Sequence, residues 1–516
     1  MLNLCLACRE IGPDGHGGLP RATCDLAQAL AAQGHSVRLL TDAAGAPGDF
    51  VGGVPVEVLP VPPPSGPWTG AEPESAPHNL MHAAAVYREV RRIHEHEQPV
   101  DAVLAPLWRS EGAVCLLDDR FPTIVTCMTS LRTLSEIDGA YGRLPDIGER
   151  LRLEGVALAR SRYLHGLTEA ALRKTIDDYG LNPRSSAVIG RGLRDRGGPP
   201  VTDGARDGRA RVLFVGRLER RKGVDTLLAA ARELVEEGVA VDFTLAGLSA
   251  DPSIRASFER EAASRPGLSA AVHFAGPVSD AELDRLYAEC DIVCVPSRYE
   301  SHGVVLIEAM MFAKPIVTCE AGGVGEVVTP NGEALVVAPD DPRALAGSLR
   351  RLLASAELRA QLGAGARETF ERRFEAAAVA AQMTSFLGRV SAGHERAASD
   401  VAGGLETLLT EALDLGEVDA GALAGELLDP PASAWRAWAR AREREAAASS
   451  TTSMSVENVR LRQAVAAQEA TLAFLHERHE TLRRVEEGGW WRLRGRLLPL
   501  LRLATRVRAR VRRHDT

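Results

Sequence analysis

Residues 2–8 are apolar almost without interruption and give way to Gly12, Gly15, Gly17 and Gly18. Leu19, Ala22, Leu26 and Leu30 follow at helical spacing, Gly34 stands where a helix ends, and Ser36–Thr41 is β-rich again. Strand, glycine-rich turn, helix and strand in that order predict the opening of a Rossmann-like unit. The glycines are not spaced GxGxxG, so a tightly held dinucleotide is not indicated. Strand-like runs at residues 102–105 and Thr123–Cys127 continue the alternation. Residues 61–77, rich in Pro, Gly and Ser, are too long for a simple connector and read as a binding loop or disorder.

Residues 188–209 turn rich in Gly, Arg and Asp, with Pro199-Pro200, and read as an inter-domain linker. A second alternation follows, with strands expected at residues 212–215, 241–245, 272–274, Ile292–Val295, 316–318 and Ala334–Val337. A helix over 226–237 stops at Gly238, another opens with Ser279 and Glu282 in capping-box register, and Asp341-Pro342 begins a third. The predicted fold class is α/β, two Rossmann-like domains facing across a cleft, plus an all-α C-terminal extension. The expected divisions are 1–195, 196–390 with a last helix crossing back, an acidic helical region at 391–450, a candidate coiled coil at 451–486, and a basic amphipathic tail at 487–516. The coiled-coil positions run Met454, Asn458, Leu461, Val465, Gln468, Leu472, Leu475, His479, Leu482; three are polar, so an amphipathic helix folded onto the body is the alternative. A coiled coil there would permit a homodimer.

Charge separates body from tail. The 516 residues carry a net −8, yet nine arginines lie between Arg492 and Arg513, and without them the balance is −17. That argues against nucleic acid as a partner of the body. Trp490 and Trp491, followed by leucines and valines interleaved with those arginines, suit an anionic bilayer surface. A protein partner is the second reading of the tail, nucleic acid the last. Eight cysteines without a dense framework fit a reduced compartment, and Cys5 and Cys8, inside the first apolar run, read as core rather than as a redox CxxC. No cationic segment precedes that run and no stretch approaches a membrane span. The expected location is cytoplasmic, with peripheral contact on the inner face of the plasma membrane.

The most informative segment reads P-S-R-Y-E-S-H-G-V-V-L-I-E from Pro296 to Glu308. A strand ends, a loop exposes Glu300, and a helix begins near Gly303 with its first amides unpaired, an end that attracts anions. Carboxylates there can accept hydrogen bonds from hydroxyls while the amides face phosphate, as a sugar nucleotide requires. Val215 to Gly223 likewise follows a strand and precedes a helix, which places Arg217 and Lys222 at the ligand-binding edge of the sheet. Lys174, Lys222 and Lys314 are the only lysines in an Arg-rich chain, so a lysine at this position suggests a specific contact. His78, His82, His94 and His96 lack carboxylate or cysteine partners at sound metal spacing, and no metal site is expected.

Taken together, the Gly17-Gly18 turn with Gly34-His35, the GRLxxxKG segment, the ExxxxxxxE segment and Gly322-Gly323 before Glu326 resemble the family-4 retaining glycosyltransferases of the GT-B type over about residues 1–390. The resemblance implies that Arg217 and Lys222 hold a donor diphosphate, that Glu300 binds the transferred sugar and Glu308 the ribose, and that Gly17, Gly18, His302, Gly303, Val304 and Val305 add donor contacts. Arg217, Lys222 and Glu300 are the implied catalytic groups. No cofactor is implied: the donor is a nucleotide-diphosphate sugar, a metal is generally not needed, and the acceptor is a glycan, a lipid-linked or a small molecule on the N-terminal side. His16 and Met128 are the acceptor-side candidates. Met128 stands where the family often has histidine, His302 where it commonly has an aromatic residue, and Arg191-Gly192-Leu193-Arg194 where Asn-Gly-Val-Asp is usual. His302 either supplies part of what Met128 cannot or is structural. The alternative function is a non-catalytic glycosyltransferase-like scaffold at the membrane; a sugar phosphorylase or nucleotide-sugar epimerase of the same architecture fits the donor segments less well.

Overall fold

The computed structural model describes residues 1–9, 11, 18–42, 50–59, 61–62, 68, 75–197, 208–416, 418–431 and four positions between 433 and 440. The chain divides into two compact units, Met1–Trp438 and Ala439–Thr516. In the second, Arg440 alone is among the described residues, so the candidate coiled coil and the basic tail lie outside them.

The first unit holds two sheets. The strands are β1 (Asn3–Ala7), β2 (Ser36–Thr41), β3 (Phe50–Val51), β4 (Val54–Val58), β5 (Ala102–Pro106), β6 (Thr123–Cys127), β7 (Tyr163–Gly166) and β8 (Ser185–Val188) in one. The other holds β9 (Ala210–Val215), β10 (Val241–Ala246), β11 (Val272–Gly276), β12 (Ile292–Val295), β13 (Ile316–Cys319) and β14 (Ala334–Val337). Their orders are β3-β4-β2-β1-β5-β6-β7-β8 and β11-β10-β9-β12-β13-β14, parallel throughout except for the β3–β4 hairpin. These are the two parallel α/β domains the alternation predicts. The apolar runs have a simple cause: both faces of each sheet are covered. In β1, Cys5 and Ala7 enter one core while Leu4 and Leu6 enter the core on the opposite face. In β9 and β12, Phe214 and Cys294 face one side, Leu213 and Val293 the other.

The punctuation is also physical. Gly34 has φ +88° after the Gly18–Ala32 helix, and Asp341 Oδ1 accepts from the Ala344 amide at 2.9 Å to start the Pro342–Ala354 helix. Cys5 and Cys8 are fully buried free thiols, and burial pushes the Cys5 thiol up to about 12.

Two later segments return to the first sheet. The Ala376–Gly393 helix packs Val379, Met383, Phe386 and Leu387 against Leu4, Leu6 and Leu30. The Val401–Ala412 and Ala420–Leu428 helices place Leu405, Leu408, Leu409, Leu423 and Leu427 in the core formed by Ala83, Val86 and Val90 of the Ala76–His96 helix. Among the described residues no helix is long and apolar enough to cross a membrane.

Candidate functional site

The carboxyl ends of β9 and β12 carry the two motifs to one place. After β9 the chain turns at Gly216, buries Leu218 and enters a short 3-10 turn, Arg220–Lys222, closed by Gly223 at φ +67°. A Cβ on Gly223 would lie 1.9 Å from the Pro296 carbonyl oxygen, so only glycine allows this turn to press against the end of β12. That contact delivers Lys222: its Nζ donates to Glu300 Oε1 at 2.5 Å, and Ser297 Oγ donates to the same oxygen at 2.7 Å. Burial alone would push the Glu300 carboxyl up, but Lys222 and Arg221 beside it hold it below its ordinary value. Burial also lowers Lys222, against the opposing pull of Glu300.

Glu219 organises the neighbouring cations. Its Oε1 lies 2.7 Å from Arg221 Nη2 and 3.3 Å from Arg217 Nη2. Arg221 is buried and donates to the Tyr299 carbonyl at 3.2 Å. Arg217, 43% exposed, is turned toward the first domain, with its guanidinium 6.0 Å from the Tyr141 ring centre. Arg217, Lys222 and Glu300 therefore stand together in the cleft between the two sheets.

The Val304–Met311 helix begins at Gly303, φ +79°, with no side chain capping its amino end. A Cβ on Gly18 would sit 3.1 Å from Val304 Cβ, so the Gly18–Ala32 helix starts directly against that end. Gly17 and His16 lie outside the described residues. His302 is buried edge-on to Phe374, ring centres 5.8 Å apart, and burial with nearby Arg191 pushes it down to about 3, leaving it neutral. Met128 is half-buried just beyond β6. Glu308 is buried and doubly engaged: Oε1 accepts from Arg21 Nη1 at 2.7 Å and Oε2 from Tyr287 Oη at 2.9 Å.

The sequence reading missed the residues that tie the two domains across the cleft. Arg21, on the Gly18–Ala32 helix, bridges Glu308 and Asp280 of the second domain. Thr168 Oγ1 donates to the Ser301 carbonyl at 2.7 Å. The Glu326 carboxylate accepts from the Glu169 and Ala170 amides at 2.6 and 2.8 Å, capping a first-domain helix, Glu169–Tyr179, from the second domain. Glu326 was visible in the GGxxE segment, but its partner is set by tertiary structure. Among the described residues no cluster of three or more His, Cys, Asp or Glu side chains is arranged to hold a metal ion.

Comparison with known proteins gives this geometry a context. Residues 202–369 match the family model described as glycosyl transferases group 1, and residues 17–192 match a glycosyl transferase 4-like domain. The D-inositol 3-phosphate glycosyltransferase of Nocardioides sp. is 30% identical over 385 residues, 69% of this chain and 82% of that protein. That of Xylanimonas cellulosilytica is 31% identical over 385 residues, 70% of this chain and 89% of that protein. Among solved structures, sucrose-phosphate synthase from Thermosynechococcus elongatus aligns with a TM-score of 0.63 at 22% identity, covering 76% of this chain and 100% of that one. Anabaena HepE in complex with UDP and glucose aligns with a TM-score of 0.58 at 20% identity, covering 75% and 100%. Both share the two-domain GT-B fold.

Proposed function

The chain belongs to the glycosyl transferases group 1 family, and we propose that this glycosyltransferase moves a sugar from a nucleoside-diphosphate donor, with retention at the anomeric carbon, to a glycan, lipid-linked or small-molecule acceptor. The observation that carries the reading is the Lys222–Glu300 pair, steadied by Ser297, beside the half-exposed Arg217 at the open edge of the second sheet. Arg217 and Lys222 hold the donor diphosphate; the amides of Gly303, Val304 and Val305 and the approach of Gly18 add to its anion site. Glu300 accepts hydrogen bonds from the transferred sugar, and Glu308 from the ribose.

In the reaction the bond from the anomeric carbon to the diphosphate oxygen breaks and the diphosphate leaves with the electron pair. The acceptor hydroxyl oxygen bonds to the same face of that carbon, and its proton passes to the departing phosphate oxygen. Negative charge grows on the diphosphate, and in this reading Arg217 and Lys222 stabilise it. The reading gives a metal no role. A relative named for inositol 3-phosphate makes a phosphorylated cyclitol the first acceptor to try, and a neighbour bound to UDP and glucose makes UDP-sugars the first donors. Residues 487–516 serve in this reading as a peripheral anchor on an anionic membrane.

Calorimetric titration of UDP-, ADP- and GDP-sugars and the free diphosphates, without added metal, tests it on the wild type and Arg217→Ala. One nucleotide series is expected to bind the wild type and to weaken about tenfold or more in the variant. Failure of every nucleotide to bind the wild type would sink the reading.

A further inference from the structure

The amino end of the Gly18–Ala32 helix, in the first domain, is seated on the second. Ala22 is buried in the core that holds Leu306 and Ile307 of the Val304–Met311 helix. One residue earlier, Arg21 reaches Glu308 on that same helix: its Nη1 donates to Glu308 Oε1 at 2.7 Å, and its Nη2 pairs with Asp280. The Arg21 side chain is 10% exposed, and its fork is fixed between two carboxylates of the other domain. Glu308 is held from a second side as well. Tyr287 Oη donates to its Oε2 at 2.9 Å, and the fully buried Tyr287 ring stacks on Phe312, centres 5.4 Å and planes 10° apart.

Burial raises the Glu308 carboxyl, and Arg21 is the strongest of the groups that pull it back, ahead of Tyr287 and Arg196. Arg21 and Tyr287 also fix the plane of the carboxylate, each taking one acceptor position on a different oxygen. An ionised carboxylate has about four such positions, so each oxygen keeps another. Two adjacent hydroxyls of a ribose match that pair, each donating to one oxygen. A carboxylate free to rotate would have to be ordered on binding, and that ordering would come out of the affinity.

We propose that Arg21 is a positioning residue for ribose recognition, acting through Glu308, so that the nucleotide site of the second domain is complete only with the first domain seated on it. The inference rests on the donor reading, in which Glu308 accepts from the ribose. Arg21 itself bonds to no part of the nucleotide in this proposal. Its work is to hold Glu308 ionised and oriented, and its place on a first-domain helix ties ribose affinity to the arrangement of the two domains.

The test is a thermodynamic cycle. UDP, ADP and GDP, and the 2′,3′-dideoxy form of each, are titrated calorimetrically into full-length wild type, Arg21→Gln and Arg21→Lys. The wild type is expected to bind one ribose form about tenfold or more tighter than its dideoxy counterpart, since the hydroxyls bond to a charged acceptor. In Arg21→Gln that ratio falls to about threefold or less, while the dideoxy form binds within about twofold of its wild-type affinity. Arg21→Lys keeps the charge without the fork and gives a ratio between the two. A role in domain docking alone would weaken both forms equally and leave the ratio intact, and that result overturns the proposal. Thermal melts of the unliganded proteins show whether each variant folds. Should Arg21→Gln not fold, Arg21→Lys decides, and a ratio equal to the wild-type one overturns the proposal. The donor reading fails separately: if the wild type binds none of the nucleotides, that reading falls and the inference with it. A wild type that binds ribose and dideoxy forms alike removes ribose from Glu308 and overturns the inference too. A ribose preference that Arg21→Gln retains leaves the donor reading standing and overturns the inference alone.

Discussion

Lys222 and Glu300 depend on each other more than on anything else around them. Glu300 is buried and Lys222 largely so, its side chain 15% exposed, and the 2.5 Å contact offsets much of the desolvation cost of the pair. Lys222→Ala is expected to lower kcat by roughly 10²–10³ and to cost about 3–5 kcal/mol of stability, because Glu300 is left charged and unpaired. Adding Glu300→Gln to that variant should recover much of the melting temperature and none of the rate, a split that thermal melts and initial-rate assays resolve. Glu154 shows the opposite electrostatics. Burial raises its carboxyl from 4.5 to about 7, although it accepts from the Leu131 amide at 2.9 Å and from Tyr179. Below pH 4.5 both folded and unfolded chains carry the proton and no cost arises. Between 4.5 and about 7 only the folded chain keeps it, so stability falls as pH rises, by on the order of 3 kcal/mol in all, then levels off. Urea melts at pH 5 and pH 8 should show that gap in the wild type and a smaller one in Glu154→Gln. Arg217, Lys222, Glu300 and Glu308 stand out in the sequence as candidates because each lies in a contiguous strand–loop–helix motif. Arg21, Glu219 and Arg221 do not, since their roles are set by partners that only the folded chain brings near.

At the scale of elements, Gly223 joins the turn that bears Lys222 to the helix behind it. Gly223→Ala forces a side chain to φ +67° and drives its Cβ into the Pro296 carbonyl, so the turn must lift off β12. The expected cost is about 2–4 kcal/mol, with diphosphate affinity falling as well; chemical denaturation and UDP titration of the same sample check both. The same geometry explains which elements the sequence revealed. Strands β1, β6 and β12 stand out because central parallel strands are apolar on both faces, and the edge strand β14 because its own run, Ala-Leu-Val-Val, is apolar throughout. β4, with alternating buried and half-buried residues, and β8, an edge strand of Ser-Ser-Ala-Val, lack that signature and were missed. The short β7, Tyr-Leu-His-Gly, is fully buried yet carries a polar residue in the run, His165, paired with Thr126. The Val401–Ala412 helix read as part of an acidic appendage because its exposed face is polar; its leucines complete the core around the Ala76–His96 helix, whose Ala83, Ala84 and Ala85 leave room for them.

For the molecule as a whole, the cleft is bridged at several points outside the proposed donor groups: Thr168 to Ser301, Glu326 to the Glu169–Tyr179 helix, and Arg21 to Asp280. Such contacts hold the carboxyl edges of the two sheets against one another. Delivery of a lipid-linked acceptor depends on where the body is held, and charge decides that. A body at −17 is repelled by an anionic bilayer, whereas the nine terminal arginines contribute up to about 1 kcal/mol each near such a surface, with Trp490 and Trp491 at its boundary. Truncation after Leu482 is therefore expected to change the sign of the interaction and not merely its strength. In flotation with vesicles containing phosphatidylserine, the full chain should bind at low salt and release as ionic strength rises past a Debye length of about 8 Å. The truncated chain should stay in the aqueous fraction at every salt concentration while still binding its nucleotide. Equal flotation of the two would place the membrane contact on the body, against its net charge, and would leave the tail free for a protein partner.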